Sequence, residues 1–550
     1  MNHTEYIRDE KLTEKKAFLK KAAGRFFTGE LIGMRLARVL AKQYHSQNKL
    51  TTTLSVIDPF SGDGRLVEWL LRAWHDLNFP PQIWQIELWD LDGSDFDIAR
   101  KNLIDAAGTE TKINIKFKRT DSFSEAYLNN QKFDIVLTNP PWELLKPDKR
   151  ELANLPESVK NNYISKMRDY DGWISYHYPL SQPKRKFAGW GTNLSRVGLE
   201  VCLKLTRDNG IFAGVFPASM MADDQSVCLR KQLIQKNSIH DLAYYSAETK
   251  QFGKADVSSI TLVATKSGQR SPSIPLYTQG VGQPNQQDTI SMDKNNLERT
   301  GYALPVSFGA SAMQLLTKLA STFNTWQDIE DHSSSYFWAG RELDETRSSQ
   351  WLCDSSEGRP LFVKGRMIDR YSLRENPSQW VARPNWRPSP SIDHLRIAWR
   401  DISRPNQKRR LIATLIPPGW AAGNSLGVAY FSDDNEIALK AMLGIMNSTT
   451  FEFQLRAYLA TSHVSLSNLR KTRVPPLSVI RKEKKLAHLV NKALAGKIKH
   501  EILIDVYVAK IIYGLTKKEY TSVLNLYKKF TAEEHSLYLD AFHDLNVTSG

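Results

Sequence analysis

The chain has 550 residues, enough for two or three domains with cores of their own, and its formal charge of +15 favours a polyanionic partner, nucleic acid above all. Cys202, Cys228 and Cys353 stand far apart with no CxxC pair or His cluster beside them, which excludes a disulfide framework and a zinc-binding motif, so no metal is expected. The first residues lack an apolar signal core, and the longest nearly apolar stretch, Ile211 to Ala222, is too short for a bilayer; a cytoplasmic protein without membrane contact is expected.

From about Leu54 to Lys266, short apolar runs alternate with amphipathic segments. Strands are predicted at Leu54–Asp58, Trp84–Asp90, Ile115–Lys118, Phe133–Thr138 and Ile211–Phe216, and helices at Arg65–Asp76, Asp95–Ala106 and Asn193–Arg207. That alternation is the signature of βαβ units, so the fold class is α/β, a doubly wound, Rossmann-like parallel sheet. Ala243–Tyr245 and Ser258–Ala264 supply a closing pair of strands at one edge. Ser267 to Arg299 is rich in Ser, Pro, Gly, Gln and Asn and reads as a domain junction. A mixed α+β region with many Trp and Arg follows to about Pro476, and helical periodicity returns from Glu483 to His543. The expected domains are 1–270, 271–480 and 481–550.

The chemistry concentrates where the predicted strands end. The first strand runs into Asp58-Pro59-Phe60-Ser61-Gly62-Asp63-Gly64, a glycine turn opening a helix, where a ligand can approach backbone N–H groups closely. No GxGxxG is present, so a dinucleotide is not the natural ligand. The second strand ends at Asp90, placed to accept hydrogen bonds from the ribose of an adenosine. After the third comes Asp121-Ser122-Phe123, a carboxylate for an adenine amino group. The fourth ends in Asn139-Pro140-Pro141-Trp142, which joins two carbonyl acceptors to a flat aromatic ring. That set suits a planar exocyclic amino group, one acceptor for each N–H and a ring for stacking. The order of these signals, strand by strand, points to S-adenosylmethionine.

With these motifs the chain resembles the gamma-class amino-methyltransferases of bacterial restriction–modification systems (Type II, Type IIG-like), which methylate adenine N6 in DNA. The resemblance implies that Thr28, in Gly24-Arg25-Phe26-Phe27-Thr28, helps hold the methionine carboxylate. It implies cofactor roles for Asp58, Pro59, Gly62, Gly64, Asp90, Asp121 and Ser122, and a catalytic turn of Asn139, Pro140, Pro141 and Trp142. Trp142 fills a slot more often taken by Tyr or Phe. Phe252, in the segment Gln251 to Val257, would face the flipped base opposite Trp142.

The segment Lys364 to Arg410 interleaves basic residues with Trp380, Trp386 and Trp399, and suits duplex DNA. Lys364, Arg366, Arg396, Arg400, Arg404, Arg409 and Arg410 are its candidate DNA contacts, and the resemblance makes 271–480 a target-recognition domain braced by the C-terminal helices. The segment before Gly24 is too short for a nuclease, so any cognate restriction endonuclease is expected as a separate polypeptide. Three other readings remain open on sequence grounds: an RNA or protein amino-group methyltransferase, a non-catalytic DNA-binding specificity component, and transfer to cytosine N4, whose turn more often starts with Ser or Asp.

Overall fold

A computed structural model describes residues 28–47, 52–80, 82–147, 152–153, 156–184, 186, 190–249, 257–279, 286–332, 335–344, 349–354, 360–382, 388–404, 407–459, 462–497 and 499–545. The chain divides into two compact units, Met1–Ala310 and Ser311–Gly550.

In the first unit the apolar runs at 133–138 and 211–216 become strands buried at nearly every position, whereas the edge strand at 112–119 alternates exposed and half-buried residues. The unit contains β1 (Thr53–Asp58), β2 (Ile83–Asp90), β3 (Lys112–Arg119), β4 (Phe133–Thr138), β5 (Thr206–Pro217), β6 (Ser238–Tyr245), β7 (Ser259–Thr265), β8 (Ser273–Gln279) and β9 (Gln286–Ser291). The helices are α1 (Glu30–Gln47), α2 (Arg65–Asp76), α3 (Phe96–Ala107), α4 (Ser122–Leu128), α5 (Glu157–His177), α6 (Leu194–Leu205), α7 (Val227–Lys236) and α8 (Lys294–Arg299). One nine-stranded sheet runs β3-β2-β1-β4-β5-β7-β6-β8-β9. Strands β1 to β5 are mutually parallel and β7 is antiparallel to both its neighbours. The order reverses between β1 and β4, the switch point at which open α/β sheets bind ligands outside the carboxyl ends of their strands. Beneath it Val56, Ile86, Ile135, Leu137, Ile211 and Ala213 form one core with Ile32, Leu36 and Leu40 of α1 and Leu70 and Trp74 of α2.

Two expectations change here. The strands at 238–245 and 259–265 do not close the sheet, because β8 pairs with β6 and β9 with β8. The stretch read as a junction thus contributes two strands and α8, and the first unit continues past residue 270 to Ala310.

The second unit holds a four-stranded antiparallel sheet of β10 (Phe337–Gly340), β11 (Arg396–Arg400), β12 (Ala413–Ile416) and β13 (Leu426–Phe431), in the order β10-β13-β11-β12. A second sheet joins Leu352–Cys353, Trp380–Val381, Leu361–Val363 and Trp420–Ala422. Helices α9 (Glu436–Asn447), α10 (Thr449–Arg456), α11 (Lys484–Leu494), α12 (Lys499–Tyr507), α13 (Lys517–Leu524) and α14 (Ala532–Asp544) complete it. The last four fall inside the same compact unit. Asp505 of α12, fully buried, receives the Thr449 backbone N–H and lies 3.4 Å from Arg409 and 3.6 Å from Arg370. Residue 480 therefore does not divide two bodies. Among the described residues no helix is long and apolar enough to cross a membrane.

Candidate active site at the switch point

Asp58 ends β1 at the switch point and is 1% exposed. Its Oδ1 accepts from the Thr138 hydroxyl at 2.6 Å and from the Phe60 N–H at 3.0 Å, so the ends of β1 and β4 are tied through one oxygen. Burial pushes its carboxyl up to about 7, against the pull of those two donors, and the nearby carboxylates of Asp90 and Asp63 push the same way. The turn after it needs its glycines. Gly62 and Gly64 have φ of 50° and 75°, and a Cβ on Gly64 would stand 2.9 Å from the Ala99 Cβ of α3. A Cβ on Gly62 would meet nothing within 4 Å, so the turn is open to a ligand on that side.

The flanking residues fix this turn from below. Ser61 donates from its N–H at 2.9 Å and from its hydroxyl at 3.1 Å to the Trp89 carbonyl, joining β1's exit to β2. Ser122 donates its hydroxyl to the Pro59 carbonyl, so both residues serve the backbone between β1 and α4. Asp90, half-buried at the end of β2, accepts the N–H groups of Asp92 and Gly93 on Oδ1, each at 2.8 Å.

Asp121 requires a correction. It was expected to present its carboxylate to an adenine amino group. It is buried and caps α4 instead, receiving Phe123 N–H at 3.2 Å, the Ser124 hydroxyl at 2.8 Å and the Tyr170 hydroxyl at 3.1 Å. A carboxylate facing three internal donors has little acceptor capacity left for a ligand.

Asn139 follows β4 directly. Its Nδ2 donates to the Thr28 hydroxyl at 3.1 Å, which commits the donor end of the amide and turns Oδ1 away from Thr28. Thr28 is itself buried. Its carbonyl accepts from Arg65 Nη1 at 3.3 Å, and Arg65 is paired with Asp63 of the glycine turn through Nη2 at 2.5 Å. Pro140 is buried against α6, where a Cβ on Gly198 would lie 2.2 Å from the Pro140 Cβ. Further on, Leu145 N–H donates to the Thr192 carbonyl and Leu194 N–H to the Glu143 carbonyl, lacing the segment to the start of α6. Pro141 and Trp142 are half-buried, with Trp142 packed on the main core.

The structure thus brings Thr28, Asp58, Gly62, Gly64 and Asn139 to one end of one sheet. Sequence reasoning missed Thr138, Gly198, Arg65 and Tyr170. Thr138 was visible as the last residue of a predicted strand; Tyr170, on the unpredicted α5, carried no signal. Phe252 and residues 24–27 lie outside the described residues. Among the described residues, no group of three or more His, Cys, Asp or Glu could hold a metal ion.

The basic segment of the second unit is corrected more heavily. Arg396, 0% exposed, donates to the carbonyls of Ser391 at 2.6 Å and Trp420 at 2.6 Å, and faces Glu342 at 3.3 Å. Arg409 pairs with Glu452 at 2.8 Å and Asp505 at 3.4 Å, both fully buried. Arg410 donates to the Ser403 carbonyl at 3.0 Å, and burial lowers its guanidinium to about 10. Arg400 reaches inward to the Ile368 carbonyl. Arg396, Arg409 and Arg410 are buried and hold the interior together, while Arg400 is half-buried with its guanidinium turned to a backbone carbonyl. Arg366 and Arg404 are exposed, and Lys364 is half-buried with its ammonium 5.4 Å from the Phe362 ring.

Residues 48–252 match the family model described as Eco57I restriction-modification methylase. No curated protein matches the chain. Among solved structures it is similar to the Type IIL restriction-modification enzyme MmeI in complex with DNA, with a TM-score of 0.52 and 12% identity over 93% of this chain and 76% of that one. It is similar to a nuclease-deletion mutant of the Type ISP enzyme LlaGI with a DNA substrate mimic, at a TM-score of 0.53 and 11% identity over 90% of this chain and 48% of that one. A DrdV–DNA complex gives a TM-score of 0.50 and 9% identity over 90% and 59%. The chain therefore spans less than two thirds of the length of LlaGI and of DrdV.

Proposed function

We propose that this chain is a site-specific DNA methyltransferase that moves a methyl group from S-adenosylmethionine to adenine N6 in double-stranded DNA, the modification component of a restriction–modification or phage-defence system. The observation that carries it is Asn139. Its amide is anchored by the nitrogen at the carboxyl end of β4, one strand from the open glycine turn after β1.

Gly62, Gly64 and Asp90 fit an adenosine-bearing ligand, with open space over the turn and a carboxylate at the end of the neighbouring strand, while Asp58 and Asp121, both buried on internal donors, hold the backbone around it. When bound, S-adenosylmethionine supplies an electrophilic methyl group. Asn139 Oδ1 and the Pro140 carbonyl each accept one N6–H, drawing the amino nitrogen toward tetrahedral geometry and localising its lone pair. The proton that N6 loses once the methyl group is transferred passes to water; Asn139 Oδ1 and the Pro140 carbonyl accept its hydrogen bond but are too weakly basic to keep it. Positioning carries the rest of the rate. The base must leave the stack, and stacking on Trp142, with Phe252 opposite, offsets part of a cost of a few kcal/mol, on the order of that for other base-flipping enzymes. MmeI and LlaGI were solved with DNA or a DNA mimic, which supports a duplex as the partner here.

The test is labelled-methyl transfer to DNA, RNA and protein side by side, with Asn139→Ala. Adenine-N6 label in DNA that disappears in the variant, with cofactor binding retained, is the expected result. Label in RNA or a glutamine amide moves the substrate class, and cofactor binding without turnover on any acceptor indicates a specificity component.

A further inference from the structure

Thr28 has a hydrogen bond that its expected role does not use. The methionine-carboxylate contact would make it a cofactor residue. In the fold its buried hydroxyl instead accepts from Asn139 Nδ2 at 3.1 Å, a contact between residues 111 positions apart. An Asn amide has two chemically opposite ends of nearly equal size, so nothing in its shape decides which faces a substrate. A hydroxyl can meet either end, so Thr28 holds the amide rather than selecting its sense: here it accepts from Nδ2, and the other end is the acceptor a base amino group requires.

The same residue is held at its other side. Arg65 Nη1 donates to the Thr28 carbonyl at 3.3 Å, while Arg65 Nε and Nη2 bind the Asp63 carboxylate at 2.9 Å and 2.5 Å. Asp63 stands between the two glycines of the turn after β1. A continuous run of polar contacts therefore joins the glycine turn to the Asn139 amide: Asp63, Arg65, the Thr28 backbone, the Thr28 hydroxyl. Each member is half-buried or buried, where such contacts hold geometry better than they do in water.

We propose that Thr28 is a positioning residue that holds the Asn139 amide in place and ties it to the glycine turn, so that the acceptor for the target amine is registered against the methyl donor's site. This rests on the adenine-N6 reading above. It differs from a cofactor contact in what it controls: the rate of the chemical step, not the affinity for the cofactor.

The test compares wild type with Thr28→Val, which keeps the shape and removes the hydroxyl, and Thr28→Ser, which restores it. Single-turnover methyl transfer to DNA and equilibrium binding of S-adenosylmethionine are measured on each. The expected result is a fall in the transfer rate of roughly 10²-fold for Thr28→Val, the scale of an ångström-level misplacement. Its cofactor Kd should stay within about twofold of wild type, and Thr28→Ser should recover most of the rate. Combining Thr28→Val with Asn139→Ala should cost no more than Asn139→Ala alone, because the two act through one amide. A weakened cofactor Kd with an unchanged transfer rate overturns the proposal in favour of a cofactor contact, and an unchanged rate with unchanged Kd overturns it outright. Should Thr28→Val fail to fold, Arg65→Gln is read in the same two assays, with a smaller loss of rate expected and none of affinity. A wild-type chain that labels no DNA adenine refutes the underlying reading instead, and is recognised before any variant is compared.

Discussion

Asp58 meets two opposing demands at the residue scale. Its backbone must turn at the end of β1, which buries the side chain, and a buried carboxylate resists ionisation. The result is a carboxyl pushed up to about 7 from an ordinary value of 3.8. Between those values the folded chain holds a proton that the unfolded chain has released. The contribution of Asp58 to stability is therefore fully present below the unfolded value and is lost as pH rises through the folded one. At 1.36 kcal/mol per unit the whole span comes to about 4 kcal/mol. Asp58→Asn keeps an acceptor for Thr138 and Phe60 and cannot titrate. Urea unfolding of the two proteins should show wild type losing stability relative to the variant between about pH 4 and about pH 7. Parallel curves across that range would sink this account of Asp58.

At the scale of elements, α6 and the turn after β4 are fitted to each other through Gly198. A glycine inside a helix costs roughly 0.5–1 kcal/mol against alanine, so Gly198→Ala improves the helix taken alone. In place, the new methyl group would stand 2.2 Å from Pro140 Cβ and 2.6 Å from its Cγ. A proline ring cannot rotate aside, so either α6 or the Asn139 turn must shift. Overpacking of this kind typically costs 1–3 kcal/mol, roughly cancelling or exceeding the helix gain. Gly198→Ala is thus expected to lower kcat by roughly 10²-fold, with a change in thermal stability of about 1–2 kcal/mol and little change in cofactor Kd. Unaltered kcat would mean the turn tolerates displacement.

The elements that form this site were also the legible ones. α2 at Arg65–Asp76 and β4 at Phe133–Thr138 fall where the apolar period and the continuous apolar run place them, because α2 buries one apolar face with Arg72, His75 and Asp76 left exposed and β4 is buried at nearly every position. The expected strands around 238–265 were legible as strands but not as interior ones. β8 has Pro275 and only Ile274 and Leu276 fully buried, so its composition is that of a linker and only pairing with β6 makes it a strand. α5 buries Tyr163, Met167, Tyr170, Asp171 and Ile174, a stripe at helical spacing over only part of its 21 residues and interrupted by an acid. Asn139 was visible as a motif. What holds it was not, since Thr28 and Gly198 reach the turn only through the fold.

Across the whole molecule, the basic composition divides into charge that faces water and charge that does not. Arg396 with Glu342, and Arg409 with Glu452 and Asp505, are neutralised inside the second unit. Glu452 is held down at about 2, despite its burial, by Arg409 and Arg456. Internal pairs cancel in the sum, so the formal charge of +15 must be carried largely by other residues, exposed ones such as Arg404 among them. A chain that binds duplex DNA through such residues loses affinity with salt at a slope of about −0.9 per phosphate neutralised. Arg404→Ala should then weaken DNA binding and reduce the magnitude of that slope by about 1, with thermal stability unchanged. Arg396→Ala should do the reverse. It strands a buried Glu342 and three carbonyl acceptors, which costs about 3–5 kcal/mol of stability, while protein that remains folded keeps the wild-type slope. Measuring both variants across a salt series, with unfolding monitored in parallel, separates the two classes. A reduced slope in folded Arg396→Ala would place that arginine at a phosphate and overturn its assignment to the interior.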